Sequence, residues 1–196
     1  MIVLASKSPR RQQLMHRITD DFIVDVSDID ESKSLNLPPL EAVLDIAKRK
    51  GLDVAKRHPD QLVISADTIV VIDNLILGKP IDEADASRIL NLLSNKTHKV
   101  ITAYCLLQDE EILEDYVISE VTFNKLEQSL IDEYIASGSP MDKAGAYGAQ
   151  DNQDFLIIKN ISGSRDNVIG FPVDEIKASL EKFKKIGLSL ITEALK

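Results

Sequence analysis

The sequence predicts a mixed α/β fold. Apolar runs typical of buried strands, such as residues 2–5 and 62–66, alternate along the 196-residue chain with amphipathic segments typical of helices. The apolar runs 99–107 and 117–123 are joined by a connection too short for a helical crossover, so we expect these two strands to be antiparallel. No linker-like or repeated segment divides the chain. We therefore expect a single body built on a mixed, twisted sheet flanked by helices.

The N-terminal part is predicted to begin with a strand at residues 2–5 that leads directly into a helix. Ser8 suits the N-cap position, and Pro9 suits the first helical position, where a missing N–H costs nothing. The elements predicted to follow are a strand at 22–26, a polar loop at 28–36 and a helix from Pro39 toward His58 whose apolar residues recur at helical spacing.

The rest of the chain is predicted from the same signals. Two β-rich runs, 62–66 and 69–73, meet at Asp67 and Thr68, and Asp73–Asn74 is a turn signal. The elements predicted after it are a loop at 77–80, a helix capped by Asp82 and ending at Leu93, strands at 99–107 and 117–123 joined across the acidic stretch 108–115, a helix at 127–136, a loop at 145–150, a strand at 155–158, a loop at 163–172 and terminal helices.

Charge and composition exclude several classes of protein. Lys and Arg number 23 against 32 Asp and Glu, which gives a net charge of −9, and such a chain repels nucleic acid at long range. One cysteine allows no internal disulfide, and three histidines make an all-histidine zinc centre improbable. No apolar run is long enough to span a membrane, and the apolar start precedes the first basic residues, the reverse of a signal peptide. We therefore expect a cytoplasmic protein that binds neither nucleic acid nor membrane.

The segment from Ser6 to Arg11 is the first unusual feature. Helix N-termini carry partial positive charge and favour acidic residues, yet Arg10 and Arg11 stand in the first turn of the predicted helix, with Lys7 just before it. A bound anion would resolve this conflict, because hydroxyl, backbone N–H and guanidinium groups would all face phosphate oxygens. The alternative is a solvated basic turn that tolerates the penalty.

Asp67 is the second unusual feature. It stands between two strongly apolar runs, where burial would raise its pKa and a metal ion or lysine would lower it. That environment suits a general base or a metal ligand. The alternative is an aspartate that caps the junction between two strands through backbone hydrogen bonds.

Several further polar residues have both a structural and a functional interpretation. Lys50 is either a snorkelling lysine at the edge of a helix or a phosphate contact, and Lys79 is held between a glycine and a proline. The acidic run that includes Glu31 is either a solvated loop or a source of Mg²⁺ ligands. In the loop 142–150, Tyr147 and Gln150 are able to read a base by stacking and hydrogen bonding, but a tight structural turn is the alternative.

Taken together and in order, these segments resemble the Maf family of nucleoside triphosphate pyrophosphatases. The resemblance covers residues 4–172 and rests on LASKSPRR at 4–11, DE at 30–31, AKRK at 47–50, SADTIV at 65–70, LGKP at 77–80, DKAGAYGAQ at 142–150, SGS at 162–164 and GFP at 170–172. The chain departs from the family pattern at Asn95, Arg165, Ala149 and the stretch 151–153.

The resemblance implies one nucleotide pyrophosphatase domain over residues 1–196, with two lobes around a deep cleft as in inosine triphosphatase. It implies metal-dependent hydrolysis, with Mg²⁺ or Mn²⁺, of a nucleoside triphosphate to the monophosphate and pyrophosphate, and a possible homodimer. The site residues that it implies are Asp67 as proton acceptor, Glu31 and Asp67 as metal ligands, and Ser8, Arg10, Arg11, Lys50, Thr68, Lys79 and Gln150 as substrate contacts.

The subtype also follows from the resemblance. Arg10, Thr68 and Gln150 match the branch that cleaves dTTP and UTP and thereby cleans nucleotide pools. The alternatives are a 7-methyl-GTP pyrophosphatase and a regulator of septum formation that binds a nucleotide without hydrolysing it.

Overall fold

One seven-stranded mixed sheet forms the centre of the molecule. The structure is a computed structural model that describes residues 1–34 and 36–194, with side chains as far as Phe183. The sheet order is β2-β1-β3-β5-β6-β7, and β4 pairs with β3 outside this path. The strands are β1 (Ile2–Leu4), β2 (Phe22–Val24), β3 (Leu62–Ile72), β4 (Leu75–Leu77), β5 (Thr97–Gln108), β6 (Glu111–Phe123) and β7 (Ile158–Ser162).

The strand directions confirm the predicted mixed sheet. β1 runs parallel to both β2 and β3, while β3 pairs antiparallel with β4 and β5. The β5–β6 pair is antiparallel over its full length, as the short connection between these strands predicted.

The helices cover both faces of the sheet. They are α1 (Pro9–Met15), α2 (Pro39–Ala55), α3 (Glu83–Leu93), α4 (Gln128–Ala136), α5 (Asn152–Phe155), α6 (Arg165–Ile169) and α7 (Val173–Ala194), with short 3-10 helices at Glu31–Ser34, Ser139–Asp142 and Ala144–Ala146. Ser8 caps α1 and Asp82 caps α3 through their side-chain oxygens, as predicted. No helix of the described chain is long and apolar enough to cross a bilayer.

The long strand β3 carries two apolar cores on one of its faces. Ile64 and Ala66 pack with α1 and α7, whereas Val70 and Ile72, farther along the same face, pack with α3 and α4. The opposite face of β3, which includes Ile69, packs against α2. One sheet therefore holds two lobes, and the change from one core to the other falls near the middle of β3.

A gap in strand pairing marks the same place. On one edge of β3, β1 pairs only with residues 62–64 and β4 pairs only with residues 70–72. Among the described residues, the edge from Ser65 to Ile69 therefore has no neighbouring strand, and the cleft opens along it.

Three predictions about strands are wrong. β3 is one continuous strand of 11 residues rather than two runs, because Asp67 and Thr68 keep extended pairing with Ala103 and Thr102 of β5. The acidic stretch 108–115 is not a loop. β5 and β6 extend through most of it, because alternate residues of an edge hairpin face solvent and tolerate charge.

The predicted strand at 155–158 is also misplaced. Phe155 ends α5 and packs its ring on Tyr134, at a centroid distance of 4.8 Å, and β7 begins only at Ile158. Leu156 takes a left-handed conformation with φ 48°, which breaks the chain between the two elements. The loops predicted at 28–36 and 163–172 contain the 3-10 helix Glu31–Ser34 and the helix α6, respectively.

Candidate active site

A cavity of about 740 Å³ lies along the unpaired edge of β3. Its walls come from the segment between β1 and α1, the stretch before Glu31, β4 and the loop after it, and the 3-10 segment before residue 150. Every residue that the sequence predicted for the site lines this cavity: Ser8, Arg10, Arg11, Glu31, Lys50, Asp67, Thr68, Lys79 and Gln150. The fold thus brings all nine together from elements that are far apart in the chain.

Asp67 lies at the centre of β3 and points toward α2. Lys50 of α2 donates from Nζ to Asp67 Oδ1 at 2.8 Å and forms an ion pair of the same length with Glu31 Oε1. The side chains of Asp67 and Lys50 are 11% and 14% exposed, whereas that of Glu31 is 53% exposed. A single buried ammonium group thus joins a buried carboxylate to a carboxylate at the mouth of the cavity.

Burial sets the protonation behaviour of Asp67. It raises the pKa of the carboxyl above its ordinary value, and the nearby charges of Lys50 and Arg11 act in the opposite direction. A carboxylate with a raised pKa binds a proton more readily than an ordinary aspartate. Asp67 therefore has the environment of a general base, and its position within a continuous strand fixes it against the sheet.

Glu31 and Asp67 also form a donor set that fits a divalent cation. Both carboxylates line the cavity and form ion pairs with one cationic group, that of Lys50. No group of three or more His, Cys, Asp or Glu side chains in the described residues has metal-binding geometry. Mg²⁺ suits such a site because it commonly uses one or two carboxylates and takes its other ligands from water and substrate phosphates.

Arg11 is fixed on the opposite face of β3. Its guanidinium donates to the Gly170 carbonyl at 2.8 Å and to Thr68 Oγ1 at 3.0 Å, and more weakly to Ser6 Oγ at 3.4 Å. Burial lowers the pKa of Arg11, while Asp67 acts to raise it. An arginine still keeps its charge at neutral pH, so it presents a rigid cation at the cavity wall.

A polar band that the sequence analysis missed supports Thr68. Thr68 Oγ1 lies 2.9 Å from Thr102 Oγ1, and the buried Asn167 side chain accepts from the Thr102 backbone N–H and donates to the Val100 carbonyl. Ser119 Oγ accepts a further hydrogen bond from Asn167 at 2.9 Å. This band separates the two apolar cores. The detectable signal was a threonine within the largely apolar stretch 100–107 of β5.

The remaining cations line the mouth of the cavity. Arg10 Nη1 pairs with Asp142 Oδ2 at 3.0 Å, across the cleft from α1 to the 3-10 helix after α4. Lys7 and Lys79 line the cavity and form no ion pair with the part of the chain that the structure describes. The Arg10–Asp142 pair joins residues separated by 132 positions, and no local pattern in the sequence predicts it.

A cleft in an α/β fold that combines a buried carboxylate, a second carboxylate and several cations is suited to bind and process a phosphorylated ligand. The family model described as "Maf-like protein" matches residues 1–183. The chain belongs to the Maf family, as the sequence motifs indicated.

Curated relatives match nearly the whole chain. A dTTP/UTP pyrophosphatase of Pyrococcus furiosus is 40% identical over 94% of this chain and 98% of its own, and one of Thermococcus onnurineus is 45% identical over 89% and 93%. One of Bacillus mycoides is 40% identical over 93% and 95%. Among solved structures, the Staphylococcus aureus Ham1 protein matches 92% of this chain and 98% of its own with a TM-score of 0.49 and 18% identity.

Proposed function

We propose that this protein hydrolyses a nucleoside triphosphate to the monophosphate and pyrophosphate, with dTTP and UTP as its substrates. The observation that carries this proposal is the buried Asp67, which is paired with Lys50 at the centre of a cavity lined by cations. The names of the curated relatives support the same reaction and the same substrates. The proposal treats residues 1–196 as one functional domain.

Asp67 is the group proposed to activate water. Its carboxylate accepts a proton from a water molecule, and the water oxygen forms a bond to the α-phosphorus. The bond from that phosphorus to the bridging oxygen breaks, and its electron pair leaves with pyrophosphate. A carboxylate in such a role contributes about 10²- to 10⁴-fold to the rate.

The cations are proposed to offset the charge that moves onto pyrophosphate. Lys50, Arg11, Arg10 and Lys79 all line the cavity, and Arg11 is already oriented by its contacts with Gly170 and Thr68. Groups fixed before the reaction need no reorganisation as charge develops. Ser8, which caps α1, adds a hydroxyl at the same wall. A cationic cleft in a body of net charge −9 also focuses the anionic substrate inward.

A divalent cation, Mg²⁺ or Mn²⁺, is proposed as the cofactor, with Glu31 and Asp67 as its protein ligands. When bound, it would supply charge neutralisation of the triphosphate. Lys50 holds both carboxylates in the structure, so it would need to shift toward the phosphates to make room.

The cellular location is proposed from the substrates. Nucleoside triphosphates are pooled in the cytoplasm, where we place the protein.

We also propose a homodimer, supported by three apolar side chains exposed on one face of β6: Ile112, Tyr116 and Ile118, at 41%, 41% and 42% exposure. Light scattering should give the dimer mass for the native chain and the monomer mass for Ile118→Glu. A monomeric native chain would contradict the dimer.

The test of the reaction is pyrophosphate release from dTTP, UTP, CTP, GTP and 7-methyl-GTP, with Mg²⁺ or Mn²⁺, by the native protein and by Asp67→Asn. We expect turnover of dTTP and UTP that falls by about 10²- to 10⁴-fold in the variant while nucleotide binding is kept. Turnover of 7-methyl-GTP alone would keep the reaction and overturn the substrates. Binding without any turnover would instead identify a nucleotide-binding regulator.

A further inference from the structure

Gln150 lines the cavity and lies in a tight turn. The backbone N–H of Asp151 donates to the Gly148 carbonyl at 3.1 Å, which places Ala149 and Gln150 at the two central positions of the turn. A turn of this kind on a surface loop is not rigid by itself. The orientation of this turn toward the cavity therefore depends on contacts with neighbouring elements.

One buried hydroxyl group ties both ends of this turn. The Tyr134 hydroxyl of α4 accepts from the Gly148 backbone N–H at 3.1 Å and donates to Asp151 Oδ2 at 2.6 Å. Tyr134 is fully buried. Burial and the Asp151 carboxylate raise the pKa of Tyr134 well above its ordinary value, so the phenol keeps its proton and remains a donor.

The Asp151 carboxylate also contacts two polar side chains of the segment that follows α4. Ser139 Oγ donates to the same carboxylate oxygen at 2.8 Å, and Lys143 Nζ lies 3.7 Å from it. Lys143 is itself only 11% exposed and donates to the Ser139 carbonyl and to Asp142. Polar groups of α4, of the 3-10 helix Ser139–Asp142 and of the loop after it thus form one network around the Asp151 carboxylate.

The backbone of the turn packs directly on the network. A Cβ atom added at Gly148 would stand 2.8 Å from both Asp151 Oδ2 and Lys143 Cε. Only a residue without a side chain lets the turn approach the Asp151–Lys143 pair this closely. The turn is therefore located by contact as well as by hydrogen bonds.

We propose that Tyr134 and Asp151 are positioning residues for base discrimination, because they hold the turn so that the Gln150 amide faces the base of the bound nucleotide. This inference rests on the proposed function. The base edge shared by thymine and uracil offers an N–H flanked by carbonyl oxygens, and a fixed amide is able to accept from the one and donate to the other. Cytosine carries an amino group and an unprotonated ring nitrogen on that edge, so Gln150 pairs with it only if its amide turns over, and an amide kept in the orientation that matches thymine and uracil disfavours cytosine.

The test is Tyr134→Phe, which removes the hydroxyl and keeps the ring against Phe155. The matched control is Tyr104→Phe, which also removes a buried hydroxyl, one that contacts Ser179 Oγ at 2.8 Å in the other core. For each protein we would measure kcat and KM for dTTP and CTP, and the inhibition constant of inorganic tripolyphosphate, which has no base. Thermal unfolding would report folding separately.

We expect Tyr134→Phe to raise KM for dTTP by about 10-fold with kcat within about two-fold of native, and to reduce the dTTP-over-CTP preference. The inhibition constant of tripolyphosphate should stay unchanged, and Tyr104→Phe should change none of these values. An unchanged preference, or a tripolyphosphate affinity that falls as much as that of dTTP, would overturn the proposal.

Asp151→Asn keeps the proposal testable if Tyr134→Phe does not fold. Its amide oxygen still accepts from Tyr134 and Ser139, so we expect a smaller change in the same direction, about three-fold in KM for dTTP. An unchanged KM and preference in a folded Asp151→Asn would overturn the proposal. Absence of dTTP turnover by the native protein would overturn the proposed function itself, and loss of the predicted shift alone would overturn only the role of the network.

Discussion

At the scale of single residues, Asp67 and Lys50 form the pair on which the proposed chemistry depends. Burial raises the pKa of Asp67, and the Lys50 charge opposes that rise. A general base must be ionised to act, so activity should fall as pH drops through the pKa of Asp67. In the free enzyme, whose ionisation kcat/KM reports, the balance between burial and Lys50 thus contributes to the acidic limit.

Lys50→Gln should move that limit. Without the ammonium group the pKa of Asp67 rises further, so the acidic limb of kcat/KM for dTTP should shift to higher pH, together with a loss of rate. The measurement is the kcat/KM profile of both proteins between about pH 4 and about pH 9 on one substrate, so that titration of the substrate cancels. A limb at the same pH in both proteins would contradict the role of Lys50.

Removing the Asp142 carboxylate is predicted to improve substrate binding rather than to impair the enzyme. Its carboxylate lines the cavity and holds Arg10 at 3.0 Å, so a triphosphate must compete with it for that cation. Asp142→Asn should therefore lower KM for dTTP by about three-fold, within the range expected for an exposed ion pair. Asp132→Asn, on the exposed side of α4, is the control. A raised KM in Asp142→Asn would show that the carboxylate assists binding.

The key cleft residues could be predicted from the sequence because each is locally unusual: an aspartate between apolar runs, and arginines at a helix N-terminus. The partners of these residues could not be predicted. Asp142 and Gly170 reach Arg10 and Arg11 from the other half of the chain, and only the fold brings them there. The role of Asp151 depends on a tyrosine 17 positions earlier, for the same reason.

At the scale of elements, the close packing of α2 on the sheet determines whether Lys50 reaches Asp67. Gly51 follows Lys50 and allows this approach, because a Cβ atom there would stand 2.4 Å from Leu107 Cδ1 and 2.7 Å from Ser65 Oγ. The Ser65 hydroxyl in turn donates to the Ala47 carbonyl at 2.7 Å. This hydrogen bond joins β3 to α2 one helical turn before Lys50.

Gly51→Ala should separate the two elements. The added methyl group forces α2 away from β3 and β5, which should cost about 1–3 kcal/mol of stability and lower kcat through the Lys50–Asp67 contact. Chemical denaturation and dTTP turnover are the measurements. Gly78→Ala is the stability control, since nothing lies within 4 Å of a Cβ atom there. Equal stability of the two variants would contradict the packing argument.

Elements with strong apolar periodicity and a cap were predictable, whereas those defined by distant partners were not. α3 begins after its Asp82 cap and ends at Leu93, as predicted. The break predicted at Asp67 is wrong because β5 pairs straight through it, and the acidic end of β6 is a strand because residues 111–115 pair with residues 104–108 of β5. Both outcomes depend on neighbours that local patterns do not contain.

At the scale of the whole molecule, the two cores share β3 and β5 while each packs its own helices. The core beside α3 and α4 contains a buried histidine, His98, whose Nε2 lies 2.7 Å from the Tyr147 hydroxyl. Burial lowers the pKa of His98 to about 4, and its Nδ1 has no hydrogen-bond partner in the described chain. This core therefore holds a group that resists protonation.

His98 should make the fold sensitive to acid. Its pKa is lower in the folded than in the unfolded state, so the unfolded state binds the extra proton, and stability is lost as pH falls from about 6.5 toward about 4. The melting temperature should drop over this window, and less so in His98→Gln, which keeps a donor for Tyr147. Parallel melting curves for the two proteins would contradict this source of acid sensitivity.

The central claim is that the cleft directs water to the α-phosphorus of a nucleoside triphosphate. The most direct test is hydrolysis of dTTP by the native protein in water enriched in oxygen-18, followed by mass analysis of both products. We expect one labelled oxygen in dTMP and unlabelled pyrophosphate. Label in the pyrophosphate, or release of orthophosphate and dTDP, would contradict it.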